Sequence, residues 1–135
     1  MKTLIKIVLF IVVLPIAFVG VILHTMAGGM CANEVHAEII SPDKRYKAVI
    51  FQRDCGATTD FSTQISILKA KAKLPNKSGN IFIERGHPEH FPHPIRWLSN
   101  TELFIEKELS GSEFKAEHSW GRRDKLTVSY VSAGS

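Results

Sequence analysis

The sequence predicts a mainly β protein: an N-terminal transmembrane or signal helix, then a small antiparallel β-sheet or sandwich. Three observations lead there. Residues 7–23 carry no charge and almost no polarity. After residue 31 the apolar residues recur with period two, the spacing of half-buried strands, and no long helical pattern follows. Turn residues, among them Ser41-Pro42-Asp43, punctuate the apolar runs at short intervals.

The first segment, MKTLIKIVLFIVVLPIAFVGVILHTMAGGM, is apolar on every side. A core helix of a soluble domain would keep a polar face. At about 1.5 Å per residue, residues 7–23 span about 26 Å, close to the roughly 30 Å of a bilayer's hydrocarbon core. Residues 4–27 complete the fit, with Lys6 snorkelling. Pro15 is tolerated inside a span. An uncleaved signal-anchor and a cleaved signal peptide both fit, since small residues near 25–29 offer a cut site. A lipoprotein carrying lipid on Cys31 fits less well, because Met30 is large for the position before it. Lys2 and Lys6 precede the apolar run and hold the N-terminus in the cytoplasm. Residues 31–135 then form the extracytoplasmic domain, and residues 1–30 the anchor or signal. The location is the outer side of the cytoplasmic membrane, or the periplasm.

Charge excludes one partner class. The chain has 17 Lys and Arg against 13 Asp and Glu. Setting aside Lys2 and Lys6 leaves an excess of two, with no clustered basic face of the kind nucleic acid requires. No nucleic-acid partner is expected.

Two cysteines in an exported domain read as a disulfide between Cys31 and Cys55. It closes a loop of 25 residues counting both ends, for which chain entropy gives about 3.5 kcal/mol.

The strands follow in order. EVHAEII places Val35, Ala37 and Ile39 on one face and Glu34, His36 and Glu38 on the other. RYKAVIFQRD returns from it through a turn at Ser41 to Lys44, with Tyr46, Ala48 and Ile50 alternating against Lys47, Val49 and Phe51. FSTQISILKA puts Ile65 and Ile67 on one face. Residues 71–79 form a polar loop, and NIFIERG a short strand. HPEHFPHP cannot continue it, because its prolines lack donors. IRWLSNTELFIEKE is a hairpin with its tip at Ser99 to Thr101. The stretch 110–124 is ambiguous between weak strands and a helix over 113–120. KLTVSYV closes the domain with Leu126, Val128 and Tyr130 on one face. This makes six to eight strands.

The run CANEVHAEIISPDKRYKAVIFQRDCGATTDFSTQISIL resembles a family of small bacterial membrane-associated proteins of unknown function. Its pattern is an NE…SPD…RDCGATTxFSTQ signature. The resemblance covers nearly all of the exported part and implies an extracytoplasmic β domain whose Cys31 pairs with Cys55. It implies no activity. Lys44 stands where that family commonly has glycine, at a turn position that favours positive φ. SPD…Y followed by WLSNTEL also resembles a single blade of a periplasmic β-propeller, in local strand pattern only.

Three constellations could carry function. In RDCGATTDFSTQ, Arg53 supplies a fixed charge beside small residues and the hydroxyls of Thr58, Thr59, Ser62 and Thr63. Exposed amides there could form an anion-binding concavity, a shallow site for an anionic or sugar-like ligand. The structural alternative is a self-satisfied loop beside a disulfide, with Arg53 paired to Asp54 or Asp60. A Cys55 hydrolase would need a free thiol and a base among His36, His87 and His118, and export argues against it. His87, His90 and His93 in HPEHFPH are metal-ligand types, but the prolines extend the segment and separate them by about 9 Å steps. Glu102, Glu106 and Glu108 read as a solvated strand face. No cofactor motif is present. The reading is an envelope-associated binding or accessory module rather than an enzyme, with no catalytic or metal residue assigned. A protein partner would dock on an exposed apolar patch at Phe91 and Trp97.

Overall fold

A computed structural model describes residues 1–28, 30–56 and 60–134. The chain forms two units, Met1–Cys31 and Ala32–Ser135. The first is a single helix, α1 (Lys2–Gly28), which continues through Pro15. Its stretch Lys2–Met26 is long and apolar enough to cross a membrane. Side chains all round it are exposed, Phe10, Val13, Leu14 and Phe18 among them. A helix apolar on every face and unburied has the character of a membrane span or a signal helix.

The second unit is built of strands: β1 (Ala32–Ile40), β2 (Tyr46–Asp54), β3 (Ser62–Lys69), β4 (Phe82–Arg85), β5 (Ile95–Ser99), β6 (Glu102–Glu108), β7 (Lys115–Ala116), β8 (Ser119–Trp120) and β9 (Leu126–Val131). They make two sheets, one ordered β1-β2-β3-β4-β7 and the other β5-β6-β9-β8. All pairings are antiparallel except β6 with β9, which run parallel. The core lies between the sheets. Ala48, Ile50, Ile65, Ile67 and Phe82 come from the first, and Leu103, Ile105, Leu126 and Val128 from the second. Tyr46 closes one end, edge-on to Trp120 at 5.7 Å.

The β1–β2 hairpin shows how local chemistry sets the register. Ser41 and Tyr46 exchange backbone and hydroxyl hydrogen bonds, and the Ser41 hydroxyl donates to Asp43 Oδ1 at 2.7 Å. That bond, first among several influences, holds the Asp43 carboxyl below its ordinary pKa. The turn leaves Lys44 at φ 60°, the left-handed region that suits glycine.

Within β1 the simple alternation fails. Val35 faces Phe51 but Ala37 faces Ile50, so His36 is an extra residue in a bulge. Phe51 and Ile50 point to opposite faces of β2. Ala37 and Ile39 therefore pack on the core, while Val35 turns outward and is 48% exposed.

Region 110–124 contains no helix; it supplies the two short strands β7 and β8. The prolines of HPEHFPHP break the chain as expected, but Pro88–His90 forms a turn of 3-10 helix with buried Pro88. The expected exposed patch at Phe91 and Trp97 is corrected: both pack against the core. The Trp97 indole donates to the Ile39 carbonyl at 2.9 Å, so burial of its ring leaves no orphaned donor.

Candidate functional site

The outer face of the first sheet carries the candidate site. β2 is buried on both faces: Ala48 and Ile50 in the core, Val49 and Phe51 on the opposite side. Register places Asn33 beside Arg53, Ser62 across from Arg53, Gln64 across from Phe51, and Arg85 across from Ser62. Period two then sends Arg53, Ser62, Gln64, Ile83 and Arg85 to this same outer face.

The loop 70–80 lies across that face and is held by amide side chains. Asn33 Nδ2 donates to the Pro75 and Lys77 carbonyls at 3.0 and 2.8 Å. The Gly79 amide donates to Gln64 Oε1 at 2.6 Å, and the Asn80 amide to the Ser66 hydroxyl at 3.1 Å. The Asn80 side chain exchanges two 2.8 Å bonds with the Ile67 backbone, replacing a strand partner. A Cβ on Gly79 would lie 2.9 Å from the carbonyl oxygens of Ile65 and Phe82, so the loop can seat here only with glycine.

Beside this loop opens a cavity of about 540 Å³, lined by Arg53, Cys55, Asp60, Phe61, Ser62, Gln64, Ser78, Ile83, Arg85 and Phe114. Arg53 Nη1 donates to Asn33 Oδ1 at 2.7 Å and to Asn76 Oδ1 at 3.0 Å. Both acceptors are neutral amides. They fix the guanidinium's position without cancelling its charge, and no ion pair forms with Arg53 among the described residues. The expected pairing of Arg53 with Asp54 or Asp60 is thereby corrected. Asp54 accepts from the Gly56 amide at 3.0 Å, and Asp60 pairs with Arg85 at 3.3 Å. The Asp60–Arg85 pair is largely solvated, a class of contact that contributes little and exchanges readily.

Two aromatic rings border the cavity. Phe61 and Phe114 are 46% and 66% exposed, which is high for Phe in a small domain. Phe114 is presented by a charged turn. The Ser110 and Gly111 amides and the Ser110 hydroxyl donate to the Glu113 carboxylate at 2.9–3.0 Å. Lys107 Nζ bridges Glu113 at 3.5 Å and Glu84 at 3.1 Å, with the Glu113 side chain only 4% exposed. Burial works to raise the Glu113 pKa, but the hydrogen bonds from Ser110, its own amide and Gly111 outweigh it and hold the value at about 2. The Phe114 amide donates to the Ile83 carbonyl at 2.9 Å, tying this turn to β4.

Of the five ligand-binding residues expected from sequence, the structure brings Arg53 and Ser62 together in the cavity. Thr63 points the other way, 1% exposed, and donates to the Gly86 carbonyl at 2.9 Å. Thr58 and Thr59 lie outside the described residues. Sequence reasoning missed Gln64, Arg85, Phe61 and Phe114. The polar alternation Ser62, Gln64, Ser66 along β3 was a signal for the first of these, whereas Arg85 joins only through non-local pairing.

Both cysteines are disulfide-bonded and none is free. The Cys31–Cys55 bond denies Cys55 the thiolate a hydrolase would need, and no histidine lines the cavity among the described residues. The metal alternative at His87, His90 and His93 finds no support either. His87 and His90 have ring centroids 6.2 Å apart, while His93 stacks edge-on against Phe91 and bonds the Glu106 carbonyl. No group of three or more His, Cys, Asp or Glu is placed to hold a metal among the described residues. Glu102, Glu106 and Glu108 are dispersed: Glu102 accepts from the Ser129 hydroxyl and Glu106 pairs with Arg96.

Comparison with family models, curated proteins and solved structures yields no significant match for this chain.

Proposed function

We propose that this chain is a membrane-tethered binding module of the bacterial envelope, with its β unit on the extracytoplasmic side, and that it takes an anionic or acidic-sugar ligand without catalysing a reaction. The observation that carries this is the setting of Arg53. A guanidinium held by two neutral amide oxygens, beside an open cavity, keeps its full charge for an incoming anion. Arg85 adds a second guanidinium, held only by a solvated partner. Gln64 donates to the Ser62 hydroxyl at 2.8 Å and accepts from the Gly79 amide, which fixes this wall of the cavity, and Phe61 and Phe114 offer apolar faces. The apolar α1 and the disulfide support the compartment, since disulfides persist in oxidising surroundings.

The test is calorimetric titration of the full chain in non-ionic detergent with phosphate, citrate and galacturonate, for wild type and Arg53→Gln. Glutamine removes the charge and is too short to reach Asn33 and Asn76, while the Asn33 Nδ2 bonds to the Pro75 and Lys77 carbonyls still hold the loop. Binding of at least one anion that weakens tenfold or more in Arg53→Gln is the expected result, matching the roughly 1.5–3 kcal/mol of a charged hydrogen bond. Equal affinity in both proteins, or no heat with any of the anions, would refute the reading.

A further inference from the structure

We infer that the ligand of the Arg53 cavity is the phosphodiester headgroup of an anionic lipid in the membrane that α1 enters. The inference rests on the anion-binding reading above and adds the source of the anion. Covalent distance supplies the first argument. α1 ends at Gly28, and Cys31 follows three residues later. Cys31 is bonded to Cys55, a wall of the cavity. Three residues of extended chain reach at most about 11 Å, and a disulfide adds about 6 Å between Cα atoms. A second connection agrees: Asn33, which holds Arg53, is five residues past Gly28, or at most about 18 Å of chain. The covalent path thus tethers Cys55, a wall of the cavity, at no more than about 17 Å from the end of α1.

Chemical complementarity supplies the second argument. Two guanidinium groups face a cavity bordered by two exposed phenylalanines, Phe61 and Phe114. A lipid headgroup presents that pairing in reverse, a phosphate oxyanion directly above acyl chain. Arg binds phosphate through parallel N–H donors, and exposed Phe seats in the headgroup–acyl boundary. The loop that covers this face carries exposed Lys71, Lys73 and Lys77, which add attraction toward an anionic surface. Asp60 is the one opposing charge at the cavity among the described residues. It sits on Arg85 in a solvated pair that a phosphate can displace.

The test is hydrogen exchange on the full chain in nanodiscs of phosphatidylcholine, with and without phosphatidylglycerol. A third arm adds sodium phosphate to the phosphatidylcholine discs. The variants are Arg53→Gln/Arg85→Gln and Phe61→Ser/Phe114→Ser, and protection of the core amides 48–50 and 65–67 serves as the folding control. Phosphatidylglycerol is expected to slow exchange at 60–64 and 83–86 about tenfold in wild type, the protection of a site at ten times its dissociation constant. The effect should vanish in the arginine variant and weaken in the phenylalanine variant. Protection by free phosphate but not by phosphatidylglycerol overturns the lipid assignment and leaves the anion site standing. Equal protection in wild type and the arginine variant also overturns it, because surface lysines alone would then explain the attraction. Protection in none of the arms removes both readings.

Discussion

Replacing Glu113 by Gln tests whether the turn that presents Phe114 is held by charge. In the folded chain the carboxyl titrates at about 2, against an ordinary 4.5. A folded pKa below the unfolded one stabilises the fold above the unfolded value, and that contribution is lost as pH falls from about 4.5 through about 2. At about 1.4 kcal/mol for each tenfold change in proton affinity, the full contribution at pH 7 has an upper bound of about 3.5 kcal/mol. The carboxylate itself is covered, but its partners Ser110 and Gly111 are exposed to water that screens the turn from outside, so about 2 kcal/mol is the working figure. The same linkage leaves less than half of it at pH 3, under about 1 kcal/mol. The assay is guanidinium unfolding of the full chain in non-ionic detergent at both pH values, read by the fluorescence of Trp97 and Trp120. Glu113→Gln should lower stability by about 2 kcal/mol at pH 7, and the gap should narrow by at least half at pH 3. A gap of the same size at both pH values would refute the argument: the cost would then lie in lost amide geometry and not in the ionised carboxylate. Because the turn joins β4 through the Phe114 amide, the variant should also weaken ligand binding at neutral pH while Arg53 stays in place.

Three further outcomes are expected. Lys44→Gly relieves a left-handed residue and should stabilise the domain by about 1 kcal/mol, seen as a higher denaturation midpoint at unchanged slope; a lower midpoint would contradict the turn geometry. Gly79→Ala forces a Cβ against two backbone carbonyls at 2.9 Å, and should cost about 1–3 kcal/mol and abolish anion binding together, because the displaced loop releases Asn33 and Gln64; normal binding in this variant would separate the loop from the site. Replacing Cys31 and Cys55 by Ser should cost about 3.5 kcal/mol for the 25-residue loop, and alkylation of the unreduced wild type should label neither cysteine.

The strands were legible where both the period and the turn were local. Tyr46, Ala48 and Ile50, then Ile65 and Ile67, fall on the core face that their alternation indicates. Val35 fails because a bulge is a relation between two strands: nothing in EVHAEII marks His36 as the extra residue until β2 is laid beside it. The parallel pairing of β6 with β9 is equally silent in sequence, since Leu103 and Val128 would alternate identically in an antiparallel partner. Region 110–124 stayed open between weak strands and a helix because the alternation of Phe114 and Ala116 is so short; non-local pairing decides it, β7 with β4 and β8 with β9.

The same distinction explains why the site was half visible. Arg53 and Ser62 belong to one polar stretch of sequence, and the β2–β3 pairing sets them opposite each other. Thr63 belongs to that stretch too, yet one step along a strand reverses the face, and its hydroxyl is spent on Gly86. Arg85 reaches the cavity through β3–β4 register, and Phe114 through the backbone bond to Ile83. Composition suggested that a charge and several hydroxyls lay close together. The proposed anion site rests on the pair of neutral amides on Arg53. Asn33 comes from β1 and Asn76 from the covering loop, 43 positions apart in sequence. An Asn76→Asp substitution separates orientation from charge: it keeps an oxygen on Arg53 but neutralises it, and it leaves the Asn33 amide on the Pro75 and Lys77 carbonyls, so the fold should persist while anion affinity falls. If affinity were unchanged, the uncancelled charge of Arg53 would not be what the site uses.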